Sequence, residues 1–231
     1  MEKRRPFRWL FALFSLVLIT VLALAGYAFV IHAQARAILK DVSALRVGVS
    51  SMKDVEEIAS RHKHALWEHR CTAGQCLFVF QIYNTWLSRL KLEPAAMFRA
   101  DVRLSAGTVE SIGIVLARAT QVFPTSDSAG RTEEYRRFPD PVPDAADQHY
   151  WFPTPVGKPY LRVALDAGAT PEQREHAYAY SLKCLVKPGR GCDLPCDYLP
   201  LAWKDWQAEL KKSGFGADGF GPFYPERARC Q

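Results

Sequence analysis

Hydrophobic and polar positions divide this chain sharply. From Trp9 to Ile31 it runs 23 residues without Asp, Glu, Lys, Arg or His. A helix rising about 1.5 Å per residue makes that run roughly 35 Å long, enough to cross about 30 Å of hydrocarbon. Ser15 and Thr20 can return their hydroxyls to the helix backbone, and Trp9 and Tyr27 lie toward the two ends, where amphipathic rings favour the membrane interface. The run has no small residues four apart and no charge, so it reads as a plain anchor at residues 9–31 rather than a packing motif or an ion path.

The helical rhythm continues beyond the run. Ile31, Ala35, Ile38, Leu39, Val42 and Leu45 keep to one face, predicting a juxtamembrane helix over residues 32–48 that Gly48 ends. Ser51 with Asp54 caps a second helix whose inner face is Met52, Val55, Ile58 and Ala59. Period-two alternation then predicts a strand from Leu77 to Tyr83, with Phe78, Phe80 and Ile82 on one side. A hairpin follows from Met97–Ser105 and Val109–Ala117 joined at Ala106-Gly107. Residues 121–159, rich in Pro, Asp and Ser, read as a long loop with one short strand at Tyr150-Trp151-Phe152. Tyr160–Leu165 is another strand. Thr170, Pro171 and Gln173 spell a capping box with proline at the first helical position, and that helix carries Ala177, Tyr178, Leu182 and Leu185 up to Pro188-Gly189. A last helix runs from Pro200 to Lys212 with Leu201, Trp203, Trp206 and Leu210 apolar, and Gly214 stops it. These elements predict an α+β domain over residues 49–231: an antiparallel sheet of about four strands with helices on one face.

Charge adds a direction. Lys3, Arg4, Arg5 and Arg8 precede the apolar run against Glu2 alone, while Arg36 and Lys40 follow more sparsely. The positive-inside bias assigns residues 1–8 to the cytoplasm and the remainder to the exported side. Ala33-Gln34-Ala35 would suit cleavage by signal peptidase, but the apolar run exceeds a signal h-region of about 7–15 residues, so an uncleaved anchor is expected. The net charge of +6 owes half its excess to the basic tail. What remains forms no Lys/Arg stripe, and nucleic-acid binding is not expected.

All six cysteines, Cys71, Cys76, Cys184, Cys192, Cys196 and Cys230, lie after the anchor. An even count on the exported side reads as disulfides. Cys71 and Cys76 flank a turn-forming tetrapeptide and Cys184 and Cys192 flank Lys-Pro-Gly-Arg-Gly, so these two pairs are expected, leaving Cys196 and Cys230 to pin the tail. No spacing is the C-x-x-C of a thiol oxidoreductase.

Candidate chemistry is sparse, and no cofactor is expected. His62, His64, Glu68 and His69 crowd beside Cys71 and Cys76 and form the one group with metal-ligand character, although no single conformation gives them the spacing of a zinc module. Gly214 to Gly219 matches the letters of the dinucleotide-binding pattern, but a helix precedes it where the mechanism needs a strand. There is no G-x-S-x-G, S-x-x-K or H-E-x-x-H, so no catalytic residue is assigned, and a hydrolase would need groups such as His149 or His176 to converge in three dimensions.

Two stretches carry a resemblance. Ala37-Ile38-Leu39-Lys40-Asp41-Val42 with Leu45-Arg46-Val47-Gly48 follows directly on the anchor. Thr170 to Arg174, Ala177-Tyr178, Leu182, Cys184-Leu185, Gly191-Cys192 and Leu199-Pro200 come later. Together, over about a third of the chain, the sequence resembles a group of uncharacterised single-span, disulfide-containing bacterial envelope proteins. The resemblance implies an inner-membrane protein with a periplasmic domain, and Cys196 departs from the group's pattern. Leu45 to Gly48 before a capped helix is also similar to the small lipoproteins of the outer-membrane assembly machine, without their lipid-bearing cysteine. The expectation is therefore a non-enzymatic envelope module. It would contact the bilayer through Trp9–Ile31 and bind an envelope protein or cell-wall component; the alternatives are a metal-binding protein using His62, His64 and His69, or a hydrolase.

Overall fold

A computed structural model describes residues 5–85, 89, 95–118, 121–128, 136–139, 161–165, 169–187, 192 and 194–212. Helix α1 spans Arg5–Ser43, 39 residues, or about 58 Å of continuous helix. It is long and apolar enough to cross a membrane. Its two halves bury different things. Between Trp9 and Val30 large apolar side chains such as Phe11, Phe14, Ile19 and Leu22 are exposed, whereas Ile31, Ala35, Ile38 and Val42 are buried in the domain core. These four recur at intervals of three or four residues, which places them on one side of the helix. Thr20 donates its hydroxyl to the Leu16 carbonyl at 2.9 Å, so the apolar half carries little unsatisfied polarity. The helix ends at Ser43 rather than at Gly48. Leu45 N–H turns back to the Val42 carbonyl, and Gly48 takes φ +76° in the following turn.

Helix α2, Met52–Arg61, buries Val55, Ile58 and Ala59. Its start is held as the capping pattern predicts: the Asp54 carboxylate accepts the Ser51 backbone N–H at 2.7 Å and its hydroxyl at 2.9 Å. These bonds, the backbone one foremost, hold the Asp54 carboxyl below the ordinary carboxylate range.

Among the described residues the sheet has seven strands: β1 Leu66–Thr72, β2 Gln75–Asn84, β3 Ala96–Ser105, β4 Thr108–Arg118, β5 Gln121–Ser128, β6 Arg136–Pro139 and β7 Leu161–Leu165. Their order is β1-β2-β3-β4-β5-β7-β6. Strands β1 to β5 form an antiparallel meander, β7 runs parallel to β5, and β6 pairs antiparallel with β7. The β3–β4 turn has positive φ at both Ala106 and Gly107, the geometry whose twist suits a tight hairpin. Cross-strand partners Phe80, Ala100 and Ile114, and Ile82, Phe98 and Leu116, line up over one face. They form the core with α1 and the C-terminal helices. The α+β class, with helices gathered on one face of a mainly antiparallel sheet, is the one the sequence patterns predict.

Three further local expectations change. Residues 121–128 and 136–139, read as loop, are strands β5 and β6. Side-chain pattern hid them because the β4 edge needs backbone partners whatever the side chains are, and Pro124 and Ser126 pair with Val115 and Gly113. Tyr150-Trp151-Phe152 lies outside the described residues. The segment after His64, to which the side-chain pattern assigns no element, forms β1 by pairing with β2. The helix expected from Pro171 to Lys187 is two: α3, Pro171–Tyr178, and α4, Lys183–Val186. The break turns Tyr180 into the core, where its hydroxyl donates to the Ile114 carbonyl at 3.0 Å, and the Ser181 N–H goes to the Tyr198 carbonyl. Helices α5, Pro195–Tyr198, and α6, Pro200–Lys212, complete the described chain.

Candidate functional site

A groove of about 740 Å³ opens where α1 ends. Local sequence builds both of its walls. On one side the chain leaves Ser43 and turns: Val49 and Ser50 N–H groups donate to the Arg46 carbonyl, Gly48 N–H donates to the Val109 carbonyl at 2.8 Å, and Val109 N–H returns to the Ser50 carbonyl. On the other side Thr170 caps α3, accepting the Gln173 N–H at 3.2 Å while Gln173 accepts the Thr170 N–H at 2.8 Å. Leu45, Val47, Tyr178 and Leu201 supply apolar lining, with Arg46, Arg174 and Glu175 alongside. Such a surface suits an apolar segment with polar or charged flanks.

The histidines singled out in the sequence do not converge. His62, at the C-terminal end of α2, places Nε2 2.8 Å from Asp41 Oδ2 on α1. It meets the Phe80 ring edge-on, and Arg61 reaches the same carboxylate at 3.4 Å. His64 is exposed in the turn before β1. Glu68 pairs with Arg70 at 3.1 Å. His69 stacks on Phe78 with ring centroids 4.2 Å apart, its Nε2 3.4 Å from Cys71 Sγ. The helix end, the turn and the alternating strand send these side chains in different directions. Among the described residues no three His, Cys, Asp or Glu side chains are arranged to hold a metal ion.

Two of the expected disulfides are present. Cys71–Cys76 bridges directly opposed residues of β1 and β2. Cys184–Cys192 is buried, each cysteine 2% exposed, and the Tyr198 hydroxyl donates to the Cys192 carbonyl beside it. Cys196 is also disulfide-bonded; its expected partner Cys230 lies outside the described residues, as do His149 and the Gly214–Gly219 pattern.

A second histidine–carboxylate pair joins α3 to α6: His176 Nδ1 lies 2.8 Å from Asp205 Oδ2. His176 is next in sequence to a residue of the groove but does not line it. Neither imidazole has a Ser, Thr or Cys within hydrogen-bond reach among the described residues, so neither pair is a nucleophile–base arrangement. On the opposite face of the sheet Asp101 receives Arg99 Nε at 2.8 Å. Burial pushes its carboxyl above the ordinary range, with Arg99 pulling the other way. Sequence reasoning missed the groove and both His–Asp pairs. The partners are 21 and 29 residues apart, and no local spacing announces a pair made between helices. Trp203, one of the apolar residues of the last predicted helix, is buried at 2% exposure.

Comparison with protein-family models, curated proteins and solved structures finds no match to this chain.

Proposed function

We propose that this chain is a single-pass envelope protein of the bacterial inner membrane, with a cytoplasmic N-terminus and a periplasmic domain whose groove binds an envelope protein or wall component without catalysing a reaction on it. The observation that carries the reading is helix α1, whose exposed apolar half is continuous with the buried stripe at Ile31, Ala35, Ile38 and Val42. A helix built that way anchors a folded domain rather than merely delivering it. The basic residues before Trp9 support the orientation, and the disulfides support an oxidising compartment. The groove beyond Ser43 supplies a surface for binding at the end of α1 remote from the span. Its apolar lining with arginines, and no nucleophile–base pair among the described residues, favours binding over hydrolysis.

Reporter fusions test the topology. A C-terminal alkaline phosphatase fusion should be active and a C-terminal cytoplasmic-folding fluorophore dark; the reverse pattern overturns the assignment. Photo-crosslinkers at Val49 and Leu201 should capture one discrete species from intact membranes, with the same label at exposed Glu110 capturing none. Equal capture at all three positions would count against the groove.

A further inference from the structure

The two described disulfides sit in opposite environments. Cys184–Cys192 is enclosed. Cys71 is exposed and Cys76 half-buried, at the tip of the β1–β2 hairpin. That tip lies beside the β3–β4 turn, since Ala106 N–H donates to the Gly74 carbonyl, and the β3–β4 turn is tied to the chain just after α1 through Met52 N–H and the Gly107 carbonyl. It is therefore at the end of the domain remote from the apolar half of α1. Strand β1 is also the first strand of the sheet, paired along one edge only among the described residues.

A positioned imidazole accompanies this exposed bond. His69 Nε2 is 3.4 Å from Cys71 Sγ, and stacking on Phe78 at 4.2 Å fixes the ring there. Phe78 is itself 1% exposed, so the platform is rigid. A histidine in this position can take or return a proton at the sulfur where an external thiol would bond.

We propose that Cys71–Cys76 is a thiol–disulfide exchange site, with His69 as its general base and a thiol-bearing molecule as its substrate. The incoming thiol gives its proton to His69 Nε2, and its sulfur attacks Cys71 Sγ, the more exposed of the two. The Cys71–Cys76 bond breaks, a mixed disulfide forms on Cys71, and the electron pair leaves with Cys76 as thiolate. In reverse, Cys76 attacks Cys71 and His69 returns the proton to the departing sulfur. The exchange is redox-balanced, because one disulfide is consumed and one is formed. Small thiols and cysteines in an extended protein segment share this chemistry.

The test uses the full-length oxidised protein in detergent, treated with reduced glutathione or with a single-cysteine extended peptide, then quenched with a maleimide and mapped by mass spectrometry. The expected result is that Cys71–Cys76 opens at least about 10-fold faster than Cys184–Cys192, with the adduct on Cys71 and maleimide on Cys76. His69→Gln and His69→Phe, the latter keeping an aromatic ring on Phe78, should each slow opening about 10-fold and steepen its pH dependence below the free-thiol pKa of about 8.5, because the incoming thiol must then ionise unaided. An exposed base supplies less than an enclosed one, hence the modest factor. The faster of the two thiols identifies the source. Unchanged rates in both variants, an adduct on Cys76, or equal opening of the two disulfides would each overturn the proposal. None of these readouts depends on the groove or on membrane topology, so this site and the binding function fail separately.

Discussion

The amide of Gly48 donates to the carbonyl of Val109 at 2.8 Å, joining the turn after α1 to the start of the central strand β4. Gly48 makes this bond from φ +76° with open space where a Cβ would lie. Strain alone therefore decides the effect of a side chain there. Gly48→Ala should cost about 1–2 kcal/mol of domain stability, read as a lowered Tm in detergent. An unchanged Tm would mean the turn is not coupled to the fold.

The two halves of α1 should respond differently to the same truncation. Ile38, with no exposed surface, packs in the core, whereas Leu22 is 62% exposed. Ile38→Ala should cost about 2–4 kcal/mol and Leu22→Ala should leave domain unfolding in detergent unchanged. Equal effects would show that the helix is not divided as described.

Ala33, Gln34 and Ala35 lie inside α1, and Ala35 is fully buried. A protease needs an extended strand, so the folded protein should resist signal peptidase, and its mature N-terminus should precede Trp9. Mass spectrometry of the native protein checks this. Ile38→Asp, which opens the stripe, should expose the site and yield a fragment beginning at Arg36.

Asp101 and Asp54 should give opposite pH signatures. Burial raises the folded-state pKa of Asp101 above the ordinary 3.8 of an aspartate. Its ionised form is therefore disfavoured in the fold, and the cost is relieved as pH falls through the raised pKa toward 3.8. Asp54 is lowered, so its contribution is present above 3.8 and is lost as pH falls through its own lower pKa. Between neutrality and about pH 4, wild-type Tm should rise relative to Asp101→Asn. A constant gap between the two across that range would refute the assignment.

What could be read from sequence followed from local rules. The Ser51–Asp54 and Thr170–Gln173 caps, the Ala106-Gly107 turn and the stripe from Ile31 to Val42 each depend on residues within one or two turns of each other, and each is present. Strands β5 and β6 were invisible because their partners are a backbone edge, which leaves little trace in side-chain pattern. The break at Ala179 was hidden for a similar reason: Tyr180 leaves the helix to reach Ile114, 66 residues away. The cysteine pairs at Cys71 and Cys184 were legible from their turns. The stacking of His69 on Phe78 was not, since it needs the hairpin register that places Phe78 opposite.

Helix α1 has no proline after its first turn and no interruption from the exposed apolar segment into the core. In a bilayer the domain would therefore ride on a mast rather than a tether. Its far end would stand roughly 20 Å beyond Val30, and it could not swivel independently of the span. A lean of about 20°, ordinary for a membrane helix, would carry the tip of a helix about 58 Å long sideways by about 20 Å. Bilayer thickness, by setting that lean, would decide where the groove and the Cys71–Cys76 hairpin are presented.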